Sequence, residues 1–187
     1  MKSVLISIQP KWCELIASGK KTIEVRKTKP KIETPFKVYI YCTVNGDKLF
    51  IIGDKSHQMN GKVIGEFICD RIEDIVFSPY NHGEYICKDQ SFIAQSCIPF
   101  YDMFDYLGEE YGYGWHISNL VIYDEPRELS EFSSPEWFRD CEKQCSIADY
   151  LLCPIRDSRK ADKVCGWCRR GGKPITRSPQ SWCYVEE

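Results

Sequence analysis

Apolar and polar residues alternate loosely from Ser3 to Ile8, which predicts a strand. Pro10 then suits the first turn of a helix whose apolar stripe is Trp12, Leu15 and Ile16, and Gly19 ends it. The next residues, Thr22-Ile23-Glu24-Val25-Arg26, alternate as a second strand: Ile23 and Val25 take one face, Thr22, Glu24 and Arg26 the other. A Lys- and Pro-rich connection from Lys27 to Pro35 leads into the strictly alternating Phe36 to Cys42, and Asn45-Gly46 marks a turn. Gly53 to Gly61 reads as a loop holding His57. Lys62 to Phe77 is a long β-rich run in which Gly65 signals a bulge and a curved sheet. After turn residues around His82, Ser91 to Leu107 reads as helix with a break at Pro99. Tyr111 to Tyr123 joins a glycine-aromatic loop to a strand, and Ser181 to Val185 is a last strand that pairs with an early one. From Pro126 to Arg177 the alternation fades.

The row Lys21, Thr22, Glu24 and Arg26 carries the chemistry. A carboxylate and a guanidinium two residues apart on one strand face hold each other in a fixed pose and leave donors free, with Lys21 a mobile cation at the preceding turn. Such a row suits an anionic or hydrogen-bond-rich ligand; the alternative is an exposed ion-pair ladder worth little. Tyr41 and Trp115 are candidate stacking faces, although Trp115 and Tyr113 better suit the plug of a barrel end. His116, of opposite parity to Trp115, points either to a site or into the core.

Charge is informative through its distribution. The 187 residues have a formal net charge of -2. Yet Gln9 to Thr43 holds eight Lys/Arg against three Asp/Glu, and Ile155 to Arg177 eight against two. Glu66 to Glu131 holds fourteen acids against three bases. Basic and acidic regions are therefore expected, and two basic segments that meet make an anion-binding surface. The apolar run at the start is too short for a signal peptide and no later run approaches a membrane span, so a cytoplasmic location is expected.

Eleven cysteines are a high count for such a location. Cys141 and Cys145 have three residues between them, Cys165 and Cys168 two, and nineteen separate the pairs. The spacing fits a two-knuckle structural zinc site, with Cys153 as an alternate fourth ligand; reduced thiols or a redox pair are the alternatives. Cys13, Cys42, Cys69, Cys87, Cys97 and Cys183 read as core residues.

Gly19-x-Lys21-x-x-Glu24-x-Arg26, behind Ser7-Ile8-Gln9-Pro10-Lys11-Trp12, resembles the signature of the ASCH domain of the PUA-like superfamily. Pro179-Gln180-Ser181-Trp182-Cys183-Tyr184 also resembles the ending of a subset of bacterial and phage ASCH proteins. The resemblance implies an α+β fold in one domain over 1–187: a small PUA-like β-barrel with short flanking helices, its core about 1–125 plus 178–187. The cysteine-rich insertion is about 126–177. It further implies a cleft lined by the motif and filled by RNA or a nucleotide, with Lys21, Glu24, Arg26, Tyr41, Trp115 and His116 as candidate ligand contacts. Some small ASCH proteins are amidohydrolases acting on acetylated cytidine, and Lys21 matches their lysine; their nucleophilic threonine falls at Glu24 here. An enzyme, on a modified nucleoside or on RNA, would use Lys21, Glu24 and Thr22. A third possibility is a protein-interaction module whose partner docks on the cysteine-rich arm.

Overall fold

The computed structural model describes residues 3–44, 59–78, 84–86, 91–108, 111–134 and 174–186. Its elements are β1 (Ser3–Ile8), α1 (Pro10–Ala17), β2 (Ile23–Arg26), β3 (Phe36–Cys42), β4 (Val63–Ser78), β5 (Glu84–Ile86), α2 (Phe92–Ser96), α3 (Phe100–Leu107), β6 (Gly112–Arg127) and β7 (Trp182–Val185), with a 3-10 turn at Leu129–Glu131. Pro99 separates the two short helices, the break expected from its missing N–H.

The strands form one sheet in the order β2-β6-β4-β3-β1-β7, and β5 pairs with the far end of β4. Only β1 and β3 run parallel. β1 alternates loosely because it is covered on both faces. Val4, Ile6 and Ile8 join Val38, Ile40, Phe67 and Trp115 in the main core, which Cys13 and Ile16 of α1 complete. Leu5 joins Tyr39, Tyr41, Phe132 and Val185 on the other side. A third cluster sets α2 and α3, through Phe92, Met103 and Leu107, against Ile23 and Val25 of β2.

The long strands β4 and β6 slip register three times, and these irregularities curl the sheet. Gly65 sits at one of them, where a Cβ would run into the Val121 carbonyl oxygen. The curl does not become the expected closed barrel: β2 and β7 are the two ends of the sheet, without a ladder between them among the described residues. The physical reason is length. Each end strand has only four residues, and beyond Arg26 the chain leaves as a Lys- and Pro-rich connection.

Side chains bridge the gap instead. Arg26 Nη2 donates to the Ser7 carbonyl at 2.6 Å, Trp182 Nε1 donates to Thr28 Oγ1 at 3.0 Å, and the Lys31 N–H donates to Tyr184 Oη at 2.7 Å. β7 does pair with β1, as its pattern predicted.

Cys13, Cys42 and Cys69 are buried, whereas Cys97 and Cys183 are half-buried rather than core. Cys97 takes a left-handed conformation at the end of α2 and its thiol faces the Lys20 carbonyl. Asn45-Gly46, His57, His82, Cys87 and the whole proposed metal set, Cys141, Cys145, Cys153, Cys165 and Cys168, lie outside the described residues. Among the described residues no helix is long and apolar enough to cross a membrane.

Candidate functional site

The polar row begins where α1 stops. Gly19 adopts a positive φ of 72°, and the N–H groups of Lys20 and Lys21 both reach the Leu15 carbonyl, so the chain reverses tightly into β2. Four residues of β2 then pair with β6, Glu24 opposite Trp115 and Arg26 opposite Tyr113. Trp115 is part of the main core, so its strand partner Glu24 and then Arg26 share the concave face.

Glu24 lies between two cations. Arg26 Nη2 is 3.0 Å from Glu24 Oε1, and Lys21 Nζ is 3.4 Å from Oε2. Lys21 is not the mobile surface cation expected: its side chain is 0% exposed, Nζ donates to the Ser96 carbonyl at 2.6 Å, and the Trp12 ring lies 5.1 Å away. Burial pulls the Lys21 pKa below the ordinary lysine value, and the Glu24 charge opposes that pull. The row is thus a buried three-charge network, not an exposed ladder. Removing such charges from water is costly, so its stability value is small next to the cost of breaking it.

Glu24 and Arg26 form part of the wall of a cleft of about 900 Å³ at the gap between β2 and β1. Ser7, Ile8 and Gln9 form the β1 side, Tyr41 and Thr43 the end of β3, Lys11 and Trp12 the first turn of α1, and Asp102, Asp105 and Tyr106 the α3 side. Ser178, Pro179 and Gln180 complete the rim, held by the Ser7 hydroxyl, which donates to the Pro179 carbonyl at 2.7 Å. Three buried polar atoms of this wall, Glu24 Oε2, Arg26 Nε and Thr43 Oγ1, have no hydrogen-bond partner. Unpaired buried donors and hydroxyls are uncommon, and in a cleft wall they are points a ligand can satisfy.

The expected site residues separate into two groups. Glu24, Arg26 and Tyr41 come together in the cleft wall. Lys21, Thr22, Trp115 and His116 do not belong to it. Thr22 Oγ1 donates to Gln95 Oε1 at 3.1 Å, toward α2. Trp115 is 0% exposed, with its ring edge-on to Phe36 at 5.8 Å and 6.1 Å from Trp182, so it offers no face to a base and serves as the interior plug. His116, opposite Ile23 in the β2–β6 register, lies 3.3 Å from Glu73 on the other side of the sheet from Trp115.

Other members of the wall were missed in the sequence. Trp12 counted as helix stripe and as the end of the stretch behind the motif, with no role at the site, yet it is half-buried at the cleft with Lys11 Nζ 4.4 Å from its ring. Thr43 and the α3 acids carried no motif, although Ser178-Pro179-Gln180 directly precedes the last strand that the pattern marked.

A curled sheet with α1 leading into a buried Lys-Glu-Arg row frames the site. Residues 6–84 match the family model of the ASCH domain. ASCH domains are PUA-like modules that generally bind RNA. Among solved structures it is similar to the crystal structure of ASCH from Zymomonas mobilis, at 20% identity and a TM-score of 0.49 over 68% of this chain and 73% of that one. A tyrosine-to-phenylalanine variant of the same protein matches at 19% identity and a TM-score of 0.49, over 69% and 77%. No curated protein matches the chain.

Proposed function

We propose that the cleft binds RNA or a nucleotide, with the Glu24–Arg26 pair reading the edge of one base. The observation that carries the reading is the position of that pair: buried, 3.0 Å apart, and in the wall of an aromatic-lined cleft. A carboxylate accepts from a base amino or imino group, a guanidinium donates to a ring nitrogen or carbonyl, and side by side they match a nucleobase edge. Tyr41 and Trp12 supply apolar walls for its faces. The charged side chains of the wall are Lys11 and Arg26 against Glu24, Asp102 and Asp105, a balance that suits a base or nucleoside better than a run of phosphates.

The test is single-stranded RNA run with the protein on native and denaturing gels, with Glu24→Gln and Arg26→Met alongside. A shift without cleavage, weakened in both variants, supports the reading; an undiminished shift in both overturns it.

A hydrolase acting on a modified nucleoside or on RNA is the second reading, favoured by the lowered pKa of Lys21, since a lysine base must shed its proton. Against it, Nζ is turned to the Ser96 carbonyl and Glu24, and the Thr22 hydroxyl to Gln95. Turnover lost in Lys21→Met would carry this reading; RNA and nucleoside substrates both left intact by the wild-type protein would remove it. A protein partner on the cysteine-rich arm, and structural zinc within that arm, remain proposals that rest on the cysteine spacing alone.

A further inference from the structure

The cleft has unequal sides. On the α3 side Asp102 and Asp105 are exposed at its wall. The chain leaving β2 presents Lys27, Lys29 and Lys31, all exposed, at every second residue. Two of them lie over aromatic rings, and the backbone of the third is bonded to a tyrosine. Lys27 Nζ lies 5.3 Å from the centre of the Tyr106 ring, and Tyr106 is itself part of the cleft wall. Lys29 Nζ lies 4.6 Å from the Tyr113 ring and pairs with Asp74 at 3.2 Å, an exposed pair that a stronger anion can displace. The Lys31 N–H is tied to Tyr184 Oη, and Tyr184 packs edge-on to half-buried Trp182 at 5.5 Å.

The bonds that bridge the gap in the sheet hold this segment in place: Arg26 to Ser7, Thr28 to Trp182, Lys31 to Tyr184. A track of lysines and aromatic rings, anchored at Arg26, Thr28 and Lys31, therefore runs out of the cleft along the seam.

We propose that this track carries the rest of a single-stranded RNA whose one base occupies the cleft, with phosphates on Lys27, Lys29 and Lys31 and bases against Tyr113 and Tyr184. The proposal rests on the cleft reading and adds a direction to it. The strand leaves over the 27–31 segment because its exposed lysines are the cations that continue from the cleft wall at Tyr106. Alternating cations and ring faces are what a flexible single strand needs, since phosphates and bases diverge along it. Among the described residues Glu33 and Asp74 lie along the track and Asp105 beside its start at Tyr106, all exposed.

The experiment measures binding of a mononucleotide and of two-, four- and eight-residue oligoribonucleotides by calorimetry across a salt series. It uses the full chain, the triple variant K27E/K29E/K31E, and Arg26→Met. The wild type should bind the octamer at least tenfold more tightly than the mononucleotide, with a salt slope steeper by roughly 2 for three phosphate contacts. The triple variant should lose that gain and that slope while binding the mononucleotide as well as wild type does. Affinity independent of length, or a triple variant that keeps the length gain, overturns the track and leaves the cleft standing. Length-dependent binding untouched by Arg26→Met overturns the cleft and leaves the track, and no binding at any length overturns both.

Discussion

Arg26 Nη2 donates to the Ser7 carbonyl at 2.6 Å and, from the same nitrogen, lies 3.0 Å from Glu24 Oε1. One guanidinium thereby joins the end strand β2 to β1 across the gap in the sheet and fixes the carboxylate beside the cleft. Structural and ligand-facing duties coincide on this side chain, and variants have to separate them.

Arg26→Met leaves Glu24 buried with Lys21 as its remaining partner and is expected to cost on the order of 3 kcal/mol in urea denaturation. Replacing Lys21, Glu24 and Arg26 together by methionine removes the charges as well as the contacts, and the triple variant should be at least as stable as Arg26→Met alone. Losses that simply add would show that the network is not one unit.

Thr43→Val should act in opposite directions on stability and binding. Its hydroxyl is buried at the cleft without a partner, so an isosteric methyl relieves an unsatisfied polar atom and raises the thermal midpoint slightly. The same change removes a hydrogen bond from a ligand and should weaken RNA binding several-fold. A stabilised variant with unchanged affinity would take Thr43 out of the site.

The two tryptophans near the row should report differently. Trp12 is part of the cleft wall and Trp115 is enclosed by Phe36 and Trp182. Ligand-dependent quenching of fluorescence should therefore persist in Trp115→Phe and largely vanish in Trp12→Phe. Quenching that follows Trp115 instead would contradict the assignment of that residue to the interior.

How legible these roles were in the sequence depended on the range of the forces involved. Strand parity and the Pro10 and Gly19 boundaries are local, and they placed Glu24 and Arg26 on one face. Sheet closure is not local, because it depends on whether two four-residue strands meet, and alternation carries no term for that. Trp115 and Lys21 show the same limit. A tryptophan beside glycines reads as plug before platform without excluding either, and a lysine reads as exposed until α2 and Trp12 are packed over it. The glutamate that fixes Lys21 was visible, and the Ser96 carbonyl that holds it was not.

Alkaline pH should weaken the fold through Cys69. Burial pushes its pKa up to about 12 from an ordinary 9.0. A thiol held protonated in the folded state contributes stability that is complete below pH 9 and is lost as pH rises from 9 toward 12. The stability advantage of wild type over Cys69→Ala should shrink across that window by up to about 1.4 kcal/mol per pH unit. A difference that stays constant would mean that the thiol titrates alike in both states.

Zinc analysis of purified protein tests the cysteine arm. One equivalent per chain is expected, lost when Cys165 and Cys168 are both changed to serine; metal-free wild type prepared with zinc present would remove the proposal.

The most direct measurement of the central claim is the affinity of a short single-stranded oligoribonucleotide for wild type, Thr43→Val and Arg26→Met, each shown by its unfolding transition to be folded. The account predicts a loss of at least tenfold in Arg26→Met and a smaller loss in Thr43→Val, matching one charged and one neutral contact to the same base. Equal affinities across all three would contradict it and move the binding surface away from the cleft.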